Sequence, residues 1–373
     1  MSSILIEPVV GNAQRDQFIK FLWTIYEGNI YWVPPLLMDR RKLMDKKKNP
    51  FYQHADAEFY LAKRGGEIVG RIAAIINHNH NKEHQENIGF FGFFECIDDQ
   101  SVANALLDTA RDYVKARGAT ALRGPANPSV NDEYGLLVRG FEERPTIMMP
   151  YNPAYYVKLI ENYGFVKAKD LYAYLLSQDT VYSERLERAN NLVKARSNLT
   201  IRTVDMKKFV HEVGIIKTIY NAAWAKNWGA VPMTEAEVDA LAKDLKPVIV
   251  PGLVLFAESN GKTVGFALSL PDINIPLWYN KKGRLLPGLL QLFLRKKEIN
   301  FVRIIVLGVL PEYVNTGAAG VLFYETAVRA RELGYQYGEA SWVLEDNLRM
   351  VKAAEAMNGK ITKRYRIYEK PIK

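Results

Sequence analysis

The chain has 373 residues, 48% hydrophobic and 24% charged, with a formal net charge of +9 and a single cysteine, Cys96. These values exclude a disordered chain, a disulfide scaffold and a cysteine-rich metal site, and the length suits two domains of ordinary size better than one core. No run approaches the roughly 20 apolar residues of a membrane-spanning helix. Residues 1–16 show no basic start followed by an apolar block, so a cytoplasmic protein without a secretory leader is expected. The basic clusters at 40–48, 281–284, 295–297 and 360–373 are dispersed, and each reads first as a solvated face.

In chain order, a strand at residues 4–8 and helices precede residues 58–77 (EFYLAKRGGEIVGRIAAIIN), a hairpin pattern turning on Gly65-Gly66. A strand over 88–97, a helix over 101–117 stopping at Gly118, and a strand over 120–123 follow. A further helix and an aromatic strand, 171–176, close this half. Residues 177–198 are polar and helical in pattern. Then the plan repeats. A strand over 199–204 precedes a hairpin in 253–274 (LVLFAESNGKTVGFALSLPDIN), whose Asn260-Gly261 turn suits type I′ geometry. A strand over 301–310, a helix over 317–333 stopping at Gly334, a strand over 337–343, a helix and an aromatic strand over 365–368 complete it. The expectation is an α+β fold with mixed sheets, built from two like domains, 1–180 and 199–373, with a linker helix over 181–198.

The strand–helix junctions differ between the halves. In the second half the junction reads Pro311-Glu312-Tyr313-Val314-Asn315-Thr316-Gly317-Ala318-Ala319-Gly320. Small residues there let the backbone approach a phosphate, and the amides and dipole of a helix N-terminus favour an anion. In the first half the junction is Asp98-Asp99-Gln100-Ser101, with no glycine and two carboxylates. An anion is expected only in the second half.

The repeated plan and the 311–320 junction resemble the GNAT (N-acetyltransferase-like) superfamily, whose loop signature is Arg/Gln-x-x-Gly-x-Gly/Ala. Val314 departs from it, standing where Arg or Gln is usual. The resemblance implies two GNAT domains in tandem and acyl-CoA as co-substrate. Val309 at the strand end and the loop residues Val314, Asn315, Thr316, Gly317, Ala318, Ala319 and Gly320 are then the candidate CoA-contacting positions. More narrowly, blocks across the chain resemble a group of tandem-GNAT proteins that includes the bacterial ceramide synthases. They include 51–62 (FYQHADAEFYLA), 89–95 (GFFGFFE), 123–129 (RGPANPS), 148–156 (MMPYNPAYY), 221–229 (NAAWAKNWG) and 341–347 (SWVLEDN). That group implies transfer of a fatty acyl group from a thioester to an amine, with a ceramide-like lipid as the named product.

Transfer to an amine needs a base for the ammonium proton and an acid for the departing thiolate. Glu95 ends the aromatic strand GFFGFFE and is the candidate base; the alternative is an exposed carboxylate at a strand end. Glu133 and Tyr134, in the run Asn131-Asp132-Glu133-Tyr134-Gly135, are further candidates, read otherwise as an ordinary polar turn. GNAT enzymes often carry the acid as a tyrosine seven or eight residues beyond an asparagine. Asn347 matches that asparagine and joins the CoA-contacting candidates, but Ala354 and Glu355 occupy the later positions, so Tyr365 becomes the candidate acid. His78, His80 and His84 lack a completing carboxylate pattern and are expected in a solvated loop, with no metal.

Residues 271–297 interrupt the second half with an apolar run, LLPGLLQLFL, between basic flanks. It reads as a core helix, as the wall of an acyl-chain channel, or as a patch that settles on an anionic membrane. Two other functions stay open: an aminoacyl-tRNA-dependent transferase on the same fold, and a non-catalytic acyl-CoA or lipid sensor. The dispersed charge gives no expectation of a nucleic-acid partner.

Overall fold

The computed structural model describes residues 3–225 and 227–372. The elements begin with β1 (Ile4–Pro8), α1 (Gly11–Ile25), α2 (Leu37–Leu43), β2 (Ala55–Arg64), β3 (Glu67–Asn77), α3 (His78–His84), β4 (Ile88–Cys96) and α4 (Gln100–Lys115). Next come β5 (Ala121–Gly124), β6 (Ala126–Asn127), β7 (Glu133–Tyr134), β8 (Leu136–Arg139), α5 (Tyr155–Asn162), β9 (Val166–Ser177), α6 (Gln178–Val181) and α7 (Glu184–Arg196). They continue with β10 (Leu199–Thr203), α8 (Phe209–Trp224), α9 (Glu235–Leu245), β11 (Val254–Ser259), β12 (Lys262–Pro271), α10 (Asn274–Leu277) and α11 (Leu285–Leu294). The last are β13 (Phe301–Val309), α12 (Ala318–Glu332), β14 (Tyr337–Leu344), α13 (Leu348–Ala356) and β15 (Lys360–Pro371).

Two compact units emerge, and neither is a contiguous half. The first comprises Met1–Asp170, Leu277–Phe293 and Lys363–Lys373; the second comprises Leu171–Pro276 and Leu294–Thr362. The closing aromatic strands are exchanged. In the first unit β15 pairs with β5 through Tyr368–Pro371 and with β8 through Arg364–Arg366. In the second unit β9 pairs with β14. The first unit's sheet runs β1-β2-β3-β4-β5-β15, and the second's runs β9-β14-β13-β12-β11-β10.

Both hairpins turn as their residues dictate. Arg64 pairs with Glu67, leaving Gly65 and Gly66 at φ 60° and 89°. Ser259 pairs with Lys262, leaving Asn260 and Gly261 at φ 50° and 78°. Two successive positive φ values make the type I′ turn whose twist matches the flanking strands. α4 buries Val102, Ala103, Leu106, Leu107, Ala110 and Val114, one helical stripe, into the first unit's core.

The duplication extends to an irregularity the residue pattern did not announce. Between β3 and β4 the register jumps from Arg71↔Glu95 to Ala73↔Gly92, with Phe93 at φ 50°. Between β12 and β13 it jumps from Leu268↔Val306 to Ser269↔Ile304. Each jump places one extra residue on the later strand, β4 or β13, a bulge that bends the strand. Each parallel ladder stops just short of its bulge: Ile88–Phe90 with Ala121–Arg123, and Phe301–Ile304 with Tyr337–Ala340.

One local expectation is corrected, and one of the alternatives for 285–294 is set aside. Residues 78–84 form the helix α3, capped by Asn77 Oδ1, and His80 turns inward to an edge contact with Phe90. α11 is not a core helix. Gly288 is its buried residue, and its leucines face outward.

Candidate active site

The bulge in β4 aims Glu95 into the first unit, where burial leaves it 8% exposed. The hydroxyl of Tyr156, on α5, donates to Glu95 Oε2 at 2.7 Å and accepts from the Cys96 amide at 2.9 Å. The Tyr26 hydroxyl, at the end of α1, stands 3.2 Å from Glu95 Oε2 and 2.8 Å from the Tyr151 carbonyl oxygen. Its single proton serves one of these at a time. With the proton on Tyr151, Tyr26 presents a lone pair to Glu95, an arrangement that suits a protonated carboxyl. Arg71 Nη2 lies 3.5 Å from Glu95 Oε1, Nη1 donates to the Phe18 carbonyl at 2.7 Å, and Arg71 Nε has no hydrogen-bond partner among the described residues.

Burial raises the Glu95 carboxyl above its ordinary range, against the opposing pull of Arg71 and the two tyrosines. Burial and the Glu95 charge push both tyrosine hydroxyls upward, and burial pulls Arg71 down. The arrangement is that of a proton acceptor poised above the usual carboxylate range, held by donors that fix its orientation.

Glu133 sits beside this group. It pairs with Arg40 of α2 and accepts from Asn127 Nδ2 at 3.1 Å. Burial pulls its carboxyl upward, but Arg40, Asn127 and the Arg71 charge together hold it below the ordinary value. Tyr134, next along β7, points elsewhere and shares the field of Arg123, Glu369 and Glu86; burial raises its hydroxyl. Tyr365 is wholly buried in β15, opposite Leu137, and its Cβ lies against Gly135. Glu95 and Glu133 are thus brought together, whereas Tyr134 and Tyr365 lie apart from the Glu95 hydrogen bonds.

His80 accompanies Arg123, which bonds Glu86 at 3.2 Å and Glu369 at 2.6 Å. Burial drops the His80 pKa to about 4, so it is neutral at physiological pH. Among the described residues no group of histidine, cysteine and carboxylate side chains is arranged to hold a metal.

The junctions after β4 and β13 differ as their residues imply. Asp99 Oδ1 accepts from the amides of Ser101 and Val102 at 2.8 and 3.3 Å, so a carboxylate of the chain already occupies the α4 N-terminus. The Ser101 hydroxyl, Arg64 and those amides hold Asp99 well below the ordinary carboxyl range. The space beside the β4 bulge is filled as well: Asn127 Oδ1 accepts from the Phe93 amide at 2.5 Å, and a Cβ on Gly92 would meet the Ala126 carbonyl oxygen at 1.7 Å.

In the second unit Val309 pairs with Gly265, and Val314, Asn315 and Thr316 lie in a 3-10 turn, Pro311–Thr316. Gly317, at φ 88°, is the N-cap residue of α12 and brings no capping side chain. Thr316 Oγ1 accepts from the Ala318 amide at 3.3 Å, and a Cβ on Gly320 would meet nothing within 4 Å. This small-residue helix start fits a phosphate group. Asn347 caps α13 by accepting from the Met350 amide at 3.3 Å. Arg349 Nη2 donates to Asn315 Oδ1 at 3.2 Å, bringing a cation to the loop that lacks arginine at Val314. Tyr26, Tyr156, Arg71, Arg40 and Arg349 were not singled out from sequence. Arg349 stands two residues beyond Asn347, so that asparagine is the one sequence signal near any of them.

No protein-family profile matches the chain. It is 36% identical over 381 aligned residues to the bacterial ceramide synthase of Caulobacter vibrioides, covering 100% of this chain and 98% of that one. It is 33% identical to protein YghO of Escherichia coli, covering 99% of this chain and 95% of that one. Among solved structures, a tandem GNAT protein from the clavulanic acid biosynthesis pathway superposes with a TM-score of 0.57 at 10% identity, over 99% of this chain and 98% of that one. Fold and end-to-end similarity agree: the chain belongs to the bacterial ceramide synthase family of tandem-GNAT acyltransferases.

Proposed function

We propose that this acyltransferase moves a long-chain fatty acyl group from a CoA thioester to the amine of a sphingoid-type base, giving a ceramide-like amide. The observation that carries the reading is the end-to-end similarity to a ceramide synthase. The donor is assigned to the second unit, where Val309, the turn from Val314 to Gly320, Asn347 and Arg349 form the proposed CoA contacts. The start of α12 at Gly317, which carries no carboxylate, supports this, as does the Asp99 carboxylate at the matching place in the first unit.

In the proposed step the amine nitrogen attacks the thioester carbonyl carbon, the C–N bond forms, and the C–S bond breaks. Glu95 first takes the ammonium proton, which frees the amine to attack; as the C–S bond breaks, the second proton lost by the nitrogen passes to the departing thiolate and gives free CoA. A carboxyl raised by burial suits the role of base because the rise makes it a stronger proton acceptor than an ordinary carboxylate. Glu133 is assigned to hold Arg40 next to it. The lipid acceptor also brings contact with an anionic membrane surface into this reading. The test is incubation of full-length protein with palmitoyl-CoA and sphinganine or its keto form. The N-acyl product should appear by mass spectrometry, with stoichiometric free CoA. CoA release without amide, or neither product, would reject the proposal.

A further inference from the structure

α11 inverts the usual placement of an amphipathic helix. Leu285, Leu286, Leu289, Leu290 and Phe293 recur at the spacing of one helical face. That face points to solvent, with Leu286 77% and Phe293 82% exposed. The opposite face carries Gly288, where a Cβ would crowd Asn280 Nδ2 at 2.8 Å and Leu36 Cδ2 at 3.1 Å.

The segment is firmly seated, so this is not a loose tail. Within the first unit the Trp23 indole donates to the Lys281 carbonyl at 2.7 Å, and the Trp278 indole donates to the Ile30 carbonyl at 2.9 Å. The Leu37 amide donates to the Gly283 carbonyl at 2.9 Å. Asn280, buried, closes the turn by bonding the Arg284 carbonyl at 2.8 Å and accepting from its amide at 3.3 Å. Arg144 and Lys281 stack on the Trp278 ring. A rigid mount presenting leucines outward marks an interaction surface.

Charge selects the occupant. The first unit's part of this segment, residues 277–293, holds three cations (Lys281, Lys282, Arg284) and no Asp or Glu. Lys281, Lys282 and Arg284 are exposed where the apolar face begins. A second copy of the chain would bring these cations toward their own like across a two-fold interface, which repels. An anionic bilayer takes the apolar face into its acyl boundary and the cations at its headgroups. At 10 residues α11 is about 15 Å long, too short to span a bilayer and suited to lie in its plane. Tyr279, 40% exposed, adds an aromatic of the kind that prefers the interface.

We infer that the exposed face of α11 is a docking surface by which the first unit lies on an anionic membrane. Beside the charge, the inference rests on the lipid-acceptor reading. The test is flotation of the full chain with vesicles of phosphatidylcholine alone and of phosphatidylcholine mixed with phosphatidylglycerol. Wild type should float with the anionic vesicles and weaken as salt rises. The double variant Leu286→Glu, Phe293→Glu should lose about tenfold or more in partitioning, by lost apolar burial and added repulsion. Val210→Glu, an exposed apolar residue on α8, should bind as wild type does. All the changed side chains are exposed, so thermal melts should be unaltered.

Equal flotation with neutral and anionic vesicles overturns the inference, as does flotation undiminished in the double variant. A concentration-dependent dimer abolished by the same substitutions, with no flotation, also overturns it and assigns the face to a second copy. Acyl transfer measured in parallel with detergent-dispersed substrate separates the two readings. Amide formation without flotation removes only the docking surface, and flotation without amide removes only the substrate assignment.

Discussion

Asp99 places its carboxylate 2.8 Å from the amide of Ser101, so the helix start that follows β4 carries its own anion. The helix start that follows β13 is headed instead by Gly317, which has no side chain to offer. Binding of CoA should therefore depend on the second and ignore the first. By titration calorimetry Gly317→Val should abolish CoA binding, because the φ of 88° disfavours any side chain and a Cβ there would lie 2.8 Å from the Val193 side chain. Asp99→Ala should bind CoA normally while losing about 1 kcal/mol of stability with its cap. Equal loss of binding from both would reassign the donor site.

Arg349 offers a milder probe that leaves the turn intact. It is exposed and bonds Asn315, so Arg349→Ala should weaken CoA binding several-fold, up to about tenfold, with an unchanged melting temperature. Unaltered affinity would confine Arg349 to holding the turn.

Glu95→Gln should slow acyl transfer by about two to four powers of ten without weakening CoA binding. Wild-type rate should fall as pH drops through the raised Glu95 pKa, because the base must be ionised, and that acid limb should vanish in the variant. Tyr156→Phe removes a donor that favours the carboxylate, so its acid limb should move to higher pH. A limb that does not move assigns the titration to another group.

His80 links pH to stability. Its folded pKa, about 4, lies below the ordinary 6.5, so the unfolded chain binds a proton that the folded chain refuses between those values. Stability is full above pH 6.5 and declines as pH falls towards 4. The melting temperature of His80→Asn should fall less steeply across that window than wild type. Matching slopes would place the acid sensitivity elsewhere.

What the residues disclosed beforehand was local. Gly65-Gly66 and Asn260-Gly261 specify their turns through φ alone, and Asp99 and Gly317 mark their helix starts through chemistry at a single position. The bulges at Phe93 and beside Ile304 left no such mark, because an extra residue in an apolar strand keeps the composition unchanged. The exchange of β9 and β15 was also hidden, since an aromatic strand carries no label for its partner. Leucine spacing in α11 reads alike for an inward and an outward face; only the seating of Gly288 decides it. Tyr26 and Tyr156 meet Glu95 from 69 and 61 residues away, a convergence made by the fold.

Acceptor choice is decided by comparing kcat/KM for palmitoyl-CoA with sphinganine against acetyl-CoA with small polyamines, using the full-length wild-type chain and Glu95→Gln. Wild type should strongly prefer the N-acyl long-chain product, and Glu95→Gln should nearly lose it with CoA affinity retained. Acetylation of the small amines, with no amide formed on any long-chain base, would contradict this preference and leave an acyltransferase of another acceptor.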